Sequence, residues 1–199
     1  MPELPEVEVV KKSLKKEVSN LTVKKVSINN KNLRYKIKES DLNNLRNKKI
    51  LSITRRSKYL LLHFNNNYIL LVHLGMTGKF YISTKIKKLK KMSFYYNNSD
   101  HNTKHDHLVF HFNDQKKLIY NDVRRFGFVK VFKSSLINEN DHFKKLGPEP
   151  LSKNFNYDYF KNKIKKRDLP VKSLLMSQSF ISGLGNIYVS EILYKSKVG

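Results

Sequence analysis

The chain opens with Met1-Pro-Glu-Leu-Pro-Glu-Val-Glu8, a stretch that predicts a helix start beside a reactive group. Proline in a first helical turn and carboxylates near the positive end of the helix dipole are typical of helix starts. The following apolar residues recur at spacings of three and four, at Val7, Val10, Leu14 and Val18. This period predicts an amphipathic α-helix that begins within the opening stretch.

Pro2 becomes a chain end if Met1 is removed. A terminal proline carries a secondary amine, which can attack an electrophilic carbon and lose water to form an iminium, as lysine does in a Schiff base. An α-amino group titrates near about 7.7–8.0, so a neutral fraction exists near neutral pH. Glu3 is the next residue and can serve as a general acid or base. The helix-start and nucleophile interpretations are compatible with each other.

Charge, cysteine content and the length of apolar runs limit the kinds of protein that this chain can be. The chain has 40 Lys and Arg against 16 Asp and Glu, for a formal net charge of +24. This balance favours a polyanionic partner such as nucleic acid, although a solvated basic face is the alternative. The absence of Cys excludes a disulfide framework and a Cys-ligated zinc site within these residues. No apolar run approaches ~18 residues and the first residues are acidic, so neither a membrane span nor a signal peptide is expected.

The middle of the chain predicts an antiparallel β-sandwich or barrel. Short apolar segments, several of them alternating, are separated by turn residues such as those at 65–67 and 113–115. Repeated short strands of this kind favour closed or two-layered antiparallel architectures. The Lys- and Asn-rich region 83–104 is expected to be an exposed loop. The predicted strands cover 21–28, 50–54, 59–64, 68–74, 79–82, 108–112, 117–120 and 127–132.

Leu146-Gly-Pro-Glu-Pro-Leu151 marks the predicted domain boundary, because two prolines and a glycine interrupt the pattern and helical spacing follows. We expect a catalytic β-sandwich domain over 1–144, a linker over 145–151 and a helical domain over 152–199. In the last domain, Gly183-Leu-Gly-Asn186 permits a tight turn that can cradle a phosphate at a helix start. A helix–turn–helix built only for packing is the alternative.

Seven ordered motifs, which span the whole chain, resemble those of formamidopyrimidine-DNA glycosylase. The resemblance implies an α+β fold: an antiparallel β-sandwich with an N-terminal helix, followed by a helix-two-turn-helix domain, which is incomplete here. It implies an enzyme of base-excision repair that removes oxidised purines, such as 8-oxoguanine and formamidopyrimidines, and cuts the strand by elimination. Leu4 favours this branch over endonuclease VIII, which usually has Gly there. The motifs are the stretches at 2–6, 55–59, 73–78, 104–107, 122–127, 146–150 and 183–191.

The resemblance implies catalytic roles for four residues. Pro2 would attack C1′ of the damaged nucleotide, and Glu3 would be the acid that helps to open the sugar. Lys58 would contact a phosphate or assist β-elimination, and Glu6 matches a second acidic residue near the active site. Judged without the resemblance, Lys58 is one lysine among many and Glu6 is a partner of the helix dipole.

Met76, Arg124 and Phe126 match the void-filling residues of the family. An enzyme that acts on a base in a duplex must extrude the nucleotide and fill the hole that it leaves. A thioether, a planar cation and an aromatic ring can each stack or wedge between bases. Ordinary sheet core is the alternative for Met76 and Phe126. Val123 departs from the proline that usually precedes the paired arginines, which loosens the backbone of this loop.

The resemblance also implies contacts with the DNA backbone. His105, Arg124, Arg167, Lys172 and Asn186 match family positions that hold bent DNA, and phosphate contacts position a substrate without reading its sequence. The expected partners are therefore damaged double-stranded DNA and abasic-site DNA.

A metal cluster of His101, His105 and His107 with Asp100 and Asp106 is an alternative on spacing alone. The motif match disfavours it, and we assign no metal ligand here. Family members continue into a four-cysteine zinc finger, so zinc is expected only in that absent part and the chain is expected to be a fragment or a truncated homologue.

The expected enzyme is a cytoplasmic, nucleoid-associated monomer. A non-catalytic DNA-binding remnant is the competing function. An RNA- or ribosome-associated basic protein is a third possibility, but it would require neither Pro2 and Glu3 nor the void-filling residues.

Overall fold

The computed structural model describes residues 2–84, 89–92, 101–165 and 168–198. The chain divides into two compact units, Met1–Ile137 and Asn138–Gly199. The first unit combines a helix with antiparallel strands and the second is helical, so the predicted α+β class is confirmed. The predicted linker over 145–151 stays a prediction.

Helix α1 (Leu4–Val18) begins and packs as its sequence predicts. Pro5 lies in its first turn, where a missing backbone N–H costs no helical hydrogen bond. Its apolar stripe is buried in the core of the first unit through Val7, Val10, Leu14 and Val18, each no more than 1% exposed. Burial of each such side chain contributes about 1.5–3 kcal/mol, which ties the start of the chain to the sheet.

Within the described residues, nine antiparallel strands form one hydrogen-bonded series in the order β6-β5-β8-β7-β1-β2-β3-β4-β9. The pairing of β1 with β2 is short, through Thr22 with Lys49 and Val23 with Lys48, so the series has two halves. A short helix α2 (Glu39–Asn43) precedes β2. The strands are β1 (Thr22–Ile28), β2 (Lys48–Arg56), β3 (Tyr59–Phe64), β4 (Tyr68–His73), β5 (Lys79–Ser83), β6 (Leu89–Lys91), β7 (Asp106–Phe112), β8 (Lys117–Asn121) and β9 (Phe128–Lys133).

Alternate residues of both halves share one hydrophobic core, as a sandwich requires. Strand β3 contributes Leu60, Leu62 and Phe64, and from the other half β5 contributes Phe80 and Ile82. The period of two in each strand therefore directs one set of side chains into the common interior.

Region 83–104 was predicted to be an exposed loop, and this prediction is wrong in part. Strand β6 pairs with β5 through Tyr81 with Lys91 and Ser83 with Leu89. Backbone pairing at a sheet edge needs no alternation of apolar residues, and lysines are common on edge strands, so the sequence pattern concealed this one. A 3₁₀ turn at Thr103–His105 also falls in or beside this region, whereas 85–88 and 93–100 lie outside the described residues.

The second unit contains α3 (Tyr157–Ile164), α4 (Val171–Met176) and α5 (Asn186–Lys195), so the helical character predicted for this part of the chain is confirmed. Their core includes Leu174, Phe180 and Val189. None of the helices in the described part of the chain is long and apolar enough to cross a membrane.

Candidate functional site

Pro2 and Glu3 are held at the N-terminal end of α1. Both residues are buried, and Glu3 is the N-cap, only 2% exposed. Its side chain and that of Glu6 form a reciprocal capping box, in which the Glu3 N–H donates to Glu6 Oε2 at 2.8 Å. This arrangement satisfies backbone donors that the first helical turn would leave unpaired. It also fixes the peptide that follows Pro2.

Lys58 is brought to this end of α1 by the tight turn between β2 and β3. Ser57 precedes it with a φ of +55° and 1% exposure, and Lys58 itself is 7% exposed. Burial lowers the pKa of Lys58 below its ordinary value, and the negative charges of Glu3 and Glu6 oppose that shift. The structure therefore places Lys58 within electrostatic reach of both carboxylates, at the end of α1 that follows Pro2.

Arg55 is a structural partner of this site that sequence reasoning missed. Its Nε donates to Glu8 Oε2 at 2.8 Å, and its Nη1 donates to the carbonyl of Ser57 at 2.8 Å. Burial alone would raise the pKa of Glu8, but hydrogen bonds from Lys11 and Arg55 bring it below its ordinary value. Arg55 thus links α1 to the turn that carries Lys58. The only sequence signal was its place in the motif at 55–59.

Met76, Arg124 and Phe126 line a common cavity of about 590 Å³, together with Arg34, His73, Gly75 and Arg125. Phe126 is 48% exposed, so the sheet-core alternative is wrong for this ring. The Arg124 guanidinium lies 4.6 Å from the centre of the Phe126 ring, within the range of a cation–π contact. The cavity therefore presents a cation, a ring and a thioether side by side.

The two loops that carry these residues touch through their backbones. Gly75 has a φ of +61°, and a Cβ atom at this position would lie 2.4 Å from Gly127 N and from the carbonyl carbon of Phe126. Only glycine permits both the conformation and the approach. Arg125 also has a left-handed backbone, with a φ of +58°. Uncommon conformations of this kind often occur at functional sites.

His73 and Arg34 were not identified from the sequence as site residues. Gly75 N–H donates to His73 Nδ1 at 3.1 Å, which in the neutral ring leaves the proton on Nε2, and the ring stacks on Phe128 at 5.4 Å between centroids. The backbone N–H of Arg34 donates to the Gly127 carbonyl at 3.1 Å. Both side chains add basic groups to the cavity wall. His73 opens the motif at 73–78, which was the available signal.

The remaining predicted phosphate contacts lie at loop and helix positions. In the first unit, His105 is half-buried at the end of the 3₁₀ turn Thr103–His105. In the second unit, Lys172 is exposed on α4 and Asn186 is the exposed first residue of α5. Arg167 lies outside the described residues.

The glycine turn before α5 is held by one side chain. Gly183 N–H donates to Gln178 Oε1 at 2.9 Å, and Gln178 Nε2 donates to the Leu184 carbonyl at 2.8 Å. Gly183 has a φ of +102°, which explains the need for glycine there. Gln178 therefore fixes the turn that leads to Asn186.

The metal alternative finds no support in the residues that the structure describes, where no group of three or more His, Cys, Asp or Glu side chains could hold an ion. His101 Nε2 instead lies 2.8 Å from Asp106 Oδ1, which also accepts from Asn121 Nδ2 at 2.8 Å. Asp100 lies outside the described residues. The sequence has no Cys, so a four-cysteine zinc finger cannot be formed from it.

Family models match both units. The formamidopyrimidine-DNA glycosylase N-terminal domain matches residues 1–129, and the formamidopyrimidine-DNA glycosylase H2TH domain matches residues 146–199. The formamidopyrimidine-DNA glycosylase of Rickettsia bellii is 42% identical over 198 residues, which cover 100% of this chain and 67% of that protein. The protein of the same name from Rickettsia felis is 41% identical with the same coverage.

Solved structures agree with these matches. Lactococcus lactis Fpg in complex with abasic-site DNA has a TM-score of 0.84 and 32% identity, and it covers 99% of this chain and 68% of the solved chain. The same protein with DNA containing N7-benzyl-Fapy-dG also gives a TM-score of 0.84, with 100% and 68% coverage. The chain belongs to the formamidopyrimidine-DNA glycosylase family.

Proposed function

We propose that this chain is a DNA glycosylase with abasic-site lyase activity, which removes oxidised purines from double-stranded DNA through an imine on Pro2. The observation that carries the proposal is the burial of Lys58 against Glu3 and Glu6 at the end of α1 that bears Pro2. A secondary amine beside a carboxyl group and a lysine of lowered pKa is suited to covalent chemistry at a sugar carbon. The Lactococcus lactis relatives were solved with abasic-site and lesion-containing DNA.

In the first step, the neutral amine of Pro2 forms a bond to C1′ of the damaged nucleotide. The bond from C1′ to the base breaks and its electron pair leaves with the base, while the Glu3 carboxylate takes the proton that the Pro2 nitrogen loses. The Glu3 carboxyl group then donates a proton to the ring oxygen O4′ as the C1′–O4′ bond opens, which leaves an iminium between Pro2 and C1′.

In the second step, the iminium makes the C2′ proton acidic. Loss of that proton and departure of the 3′ phosphate, with the electron pair of the C3′–O bond, cut the strand. Lys58 assists this step: its ammonium form contacts the phosphate, and its lowered pKa makes the neutral amine more accessible as a proton acceptor than an ordinary lysine would be. Glu6 holds the Glu3 peptide and adds negative charge near Lys58.

Extrusion of the damaged nucleotide is assigned to the loops around the cavity. Met76, Arg124 and Phe126 would fill the space left in the base stack, and Arg124 would hydrogen-bond the orphaned partner base. Phe126 is 48% exposed in a strongly basic protein, so its ring is accessible to stack on a base, which supports this role.

Phosphate contacts would hold the duplex without reading its sequence. We assign them to His73, His105, Arg167, Lys172 and Asn186. His73 has a ring whose orientation is fixed by Gly75, and Asn186 begins α5 after a glycine turn, where backbone N–H groups favour an anion. The net charge of +24 supports the same partner. We further propose that the protein works as a monomer on nucleoid DNA in the cytoplasm.

Excision from a defined duplex tests the proposal. The substrate carries one 8-oxoguanine opposite cytosine, and strand cutting is followed with and without alkali, which separates base removal from elimination. Glu3→Gln keeps the shape of the side chain but cannot supply its proton, so base removal should fall at least about 100-fold. Glu39→Gln, an exposed residue of α2, is the matched control and should retain full activity. A protein that binds this duplex but never releases the base would refute the proposal.

A further inference from the structure

Asp122 is a completely buried carboxylate for which neither step of the proposed mechanism has a use, with 0% exposure. Its Oδ1 accepts a hydrogen bond from the Thr77 hydroxyl, and its Oδ2 accepts one from Gly127 N–H at 2.8 Å. A buried charge is costly unless it is hydrogen-bonded, so these two donors account for its stability in this position.

The Thr77 hydroxyl continues the network to the arginine loop. Its oxygen accepts from the backbone N–H of Arg124 at 3.0 Å while its proton goes to Asp122. Thr77 is the neighbour of Met76, and Gly127 is the neighbour of Phe126. Arg124 is therefore bonded to this network directly, and Met76 and Phe126 are each next to a residue that is bonded to it.

The backbone of Asp122 reaches a third segment. Its N–H donates to the His105 carbonyl at 3.0 Å, and its carbonyl lies 2.8 Å from Nε2 of His107, which is 2% exposed. The position of the His105 turn is thus linked to the same residue as the two loops.

We propose that Thr77 and Asp122 form a positioning pair, which holds Met76, Arg124 and Phe126 in one arrangement so that they enter the duplex as a unit. This inference rests on the proposed function of those residues. The left-handed Arg125 and the exposed Phe126 lie between Arg124 and Gly127, and the pair bonds to the backbone N–H groups of both, so it restricts their place relative to Met76. Loss of the hydroxyl also leaves the donors and acceptors around it unsatisfied, and that penalty opposes the native loop arrangement.

Thr77→Val tests the pair, because valine has the shape of threonine but can neither donate to Asp122 nor accept from Arg124. Thr77→Ser keeps the hydroxyl and is the matched control. We expect Thr77→Val to slow excision of 8-oxoguanine from intact duplex about tenfold and to change strand cutting at a pre-formed abasic site less than about twofold. Thr77→Ser should stay within about twofold of the parent protein on both substrates.

A second readout needs no chemistry. Duplex DNA with a tetrahydrofuran abasic analogue and a neighbouring 2-aminopurine should become more fluorescent when the void-filling residues unstack the 2-aminopurine. Thr77→Val should reduce or delay this rise, and Thr77→Ser should not. This signal separates failure of the pair from failure of the proposed excision activity, because the analogue cannot form an imine.

Asp122→Asn provides an independent variant, since its amide keeps the size of the carboxyl group but sets an N–H₂ group against one of the two donors. Like Thr77→Val, it should slow excision from intact duplex more than strand cutting at a pre-formed abasic site. Equal losses on both DNA substrates, in step with a lower melting temperature, would overturn the inference, as would full activity and full fluorescence in both variants.

Discussion

Glu6 accepts a 2.8 Å hydrogen bond from the backbone N–H of Glu3, and the charges of both residues act on the buried ammonium group of Lys58. Glu6 therefore connects two features of the proposed site, the peptide next to Pro2 and the protonation of the lysine. A Gln at this position can keep the hydrogen bond and lose the charge. The two contributions can thus be separated by experiment.

Glu6→Gln should lower the pKa of Lys58 further. Burial lowers this pKa and the carboxylates raise it, so removal of one negative charge leaves burial less opposed. The alkaline loss of the Lys58 ammonium group should then occur at lower pH than in the parent protein. The measurement is an NMR titration of lysine labelled with ¹³C at Cε, with Lys58→Arg to assign the signal. Glu39→Gln should leave that signal unmoved, and an unchanged or higher pKa in Glu6→Gln would contradict the electrostatic account.

Arg124→Ala should damage base removal from intact duplex more than strand cutting at a pre-formed abasic site, by about tenfold in the ratio of the two rates. The reason is that an abasic site has no base to extrude and leaves less stacking to replace. Single-turnover rates on the two substrates provide the ratio. Arg46→Ala removes the same charge from an exposed position before β2 and should affect the two rates alike. Equal losses of the two rates in Arg124→Ala would show that Arg124 is not a void-filling residue.

Gly75→Ala should lower the free energy of unfolding by about 1–3 kcal/mol, the usual cost of a residue forced into an unfavourable backbone conformation. The added Cβ would also meet the backbone at Phe126 and Gly127, so the two loops must separate. Urea unfolding followed by circular dichroism measures the loss. Ser52→Ala, at an exposed site in β2, should change stability by less than about 0.5 kcal/mol. Parent-like stability in Gly75→Ala would show that the loops can relax freely.

Lys172→Ala should weaken binding to all DNA sequences alike and reduce the slope of log affinity against log salt by about one unit. Lys172 is exposed on α4, and a single phosphate contact contributes charge but no base recognition. Binding of tetrahydrofuran duplexes of two different sequences, measured across a salt series, tests this. If the slope is unchanged, Lys172 does not contact a phosphate.

Much of the fold follows from local patterns. The period of α1 and the alternation in β7 are properties of each segment alone, so they were predictable before the partners of these elements were known. Strand β6 was missed because its Lys-rich sequence has no apolar face, and its structure depends on the free edge of β5. The pairing of strands along the edge is a tertiary property.

The residues of the site were also predictable only in part. Sequence motifs identified Lys58 and Arg124, but they did not show that Arg55 reaches Glu8 or that Thr77 reaches Asp122. These bonds join residues 47 and 45 positions apart. Such contacts depend on the register of the finished sheet, which no single stretch of sequence contains.

If the amine of Pro2 is the nucleophile, borohydride should reduce its imine to a stable adduct with DNA, and mass spectrometry then identifies the attached atom. The protein is incubated with abasic-site DNA, reduced, digested and sequenced by tandem mass spectrometry. Met1 should be absent, and the reduced sugar should be attached to the nitrogen of Pro2 in the N-terminal peptide. An adduct on a lysine such as Lys58, or an adduct formed by protein that retains Met1, would contradict this role of Pro2.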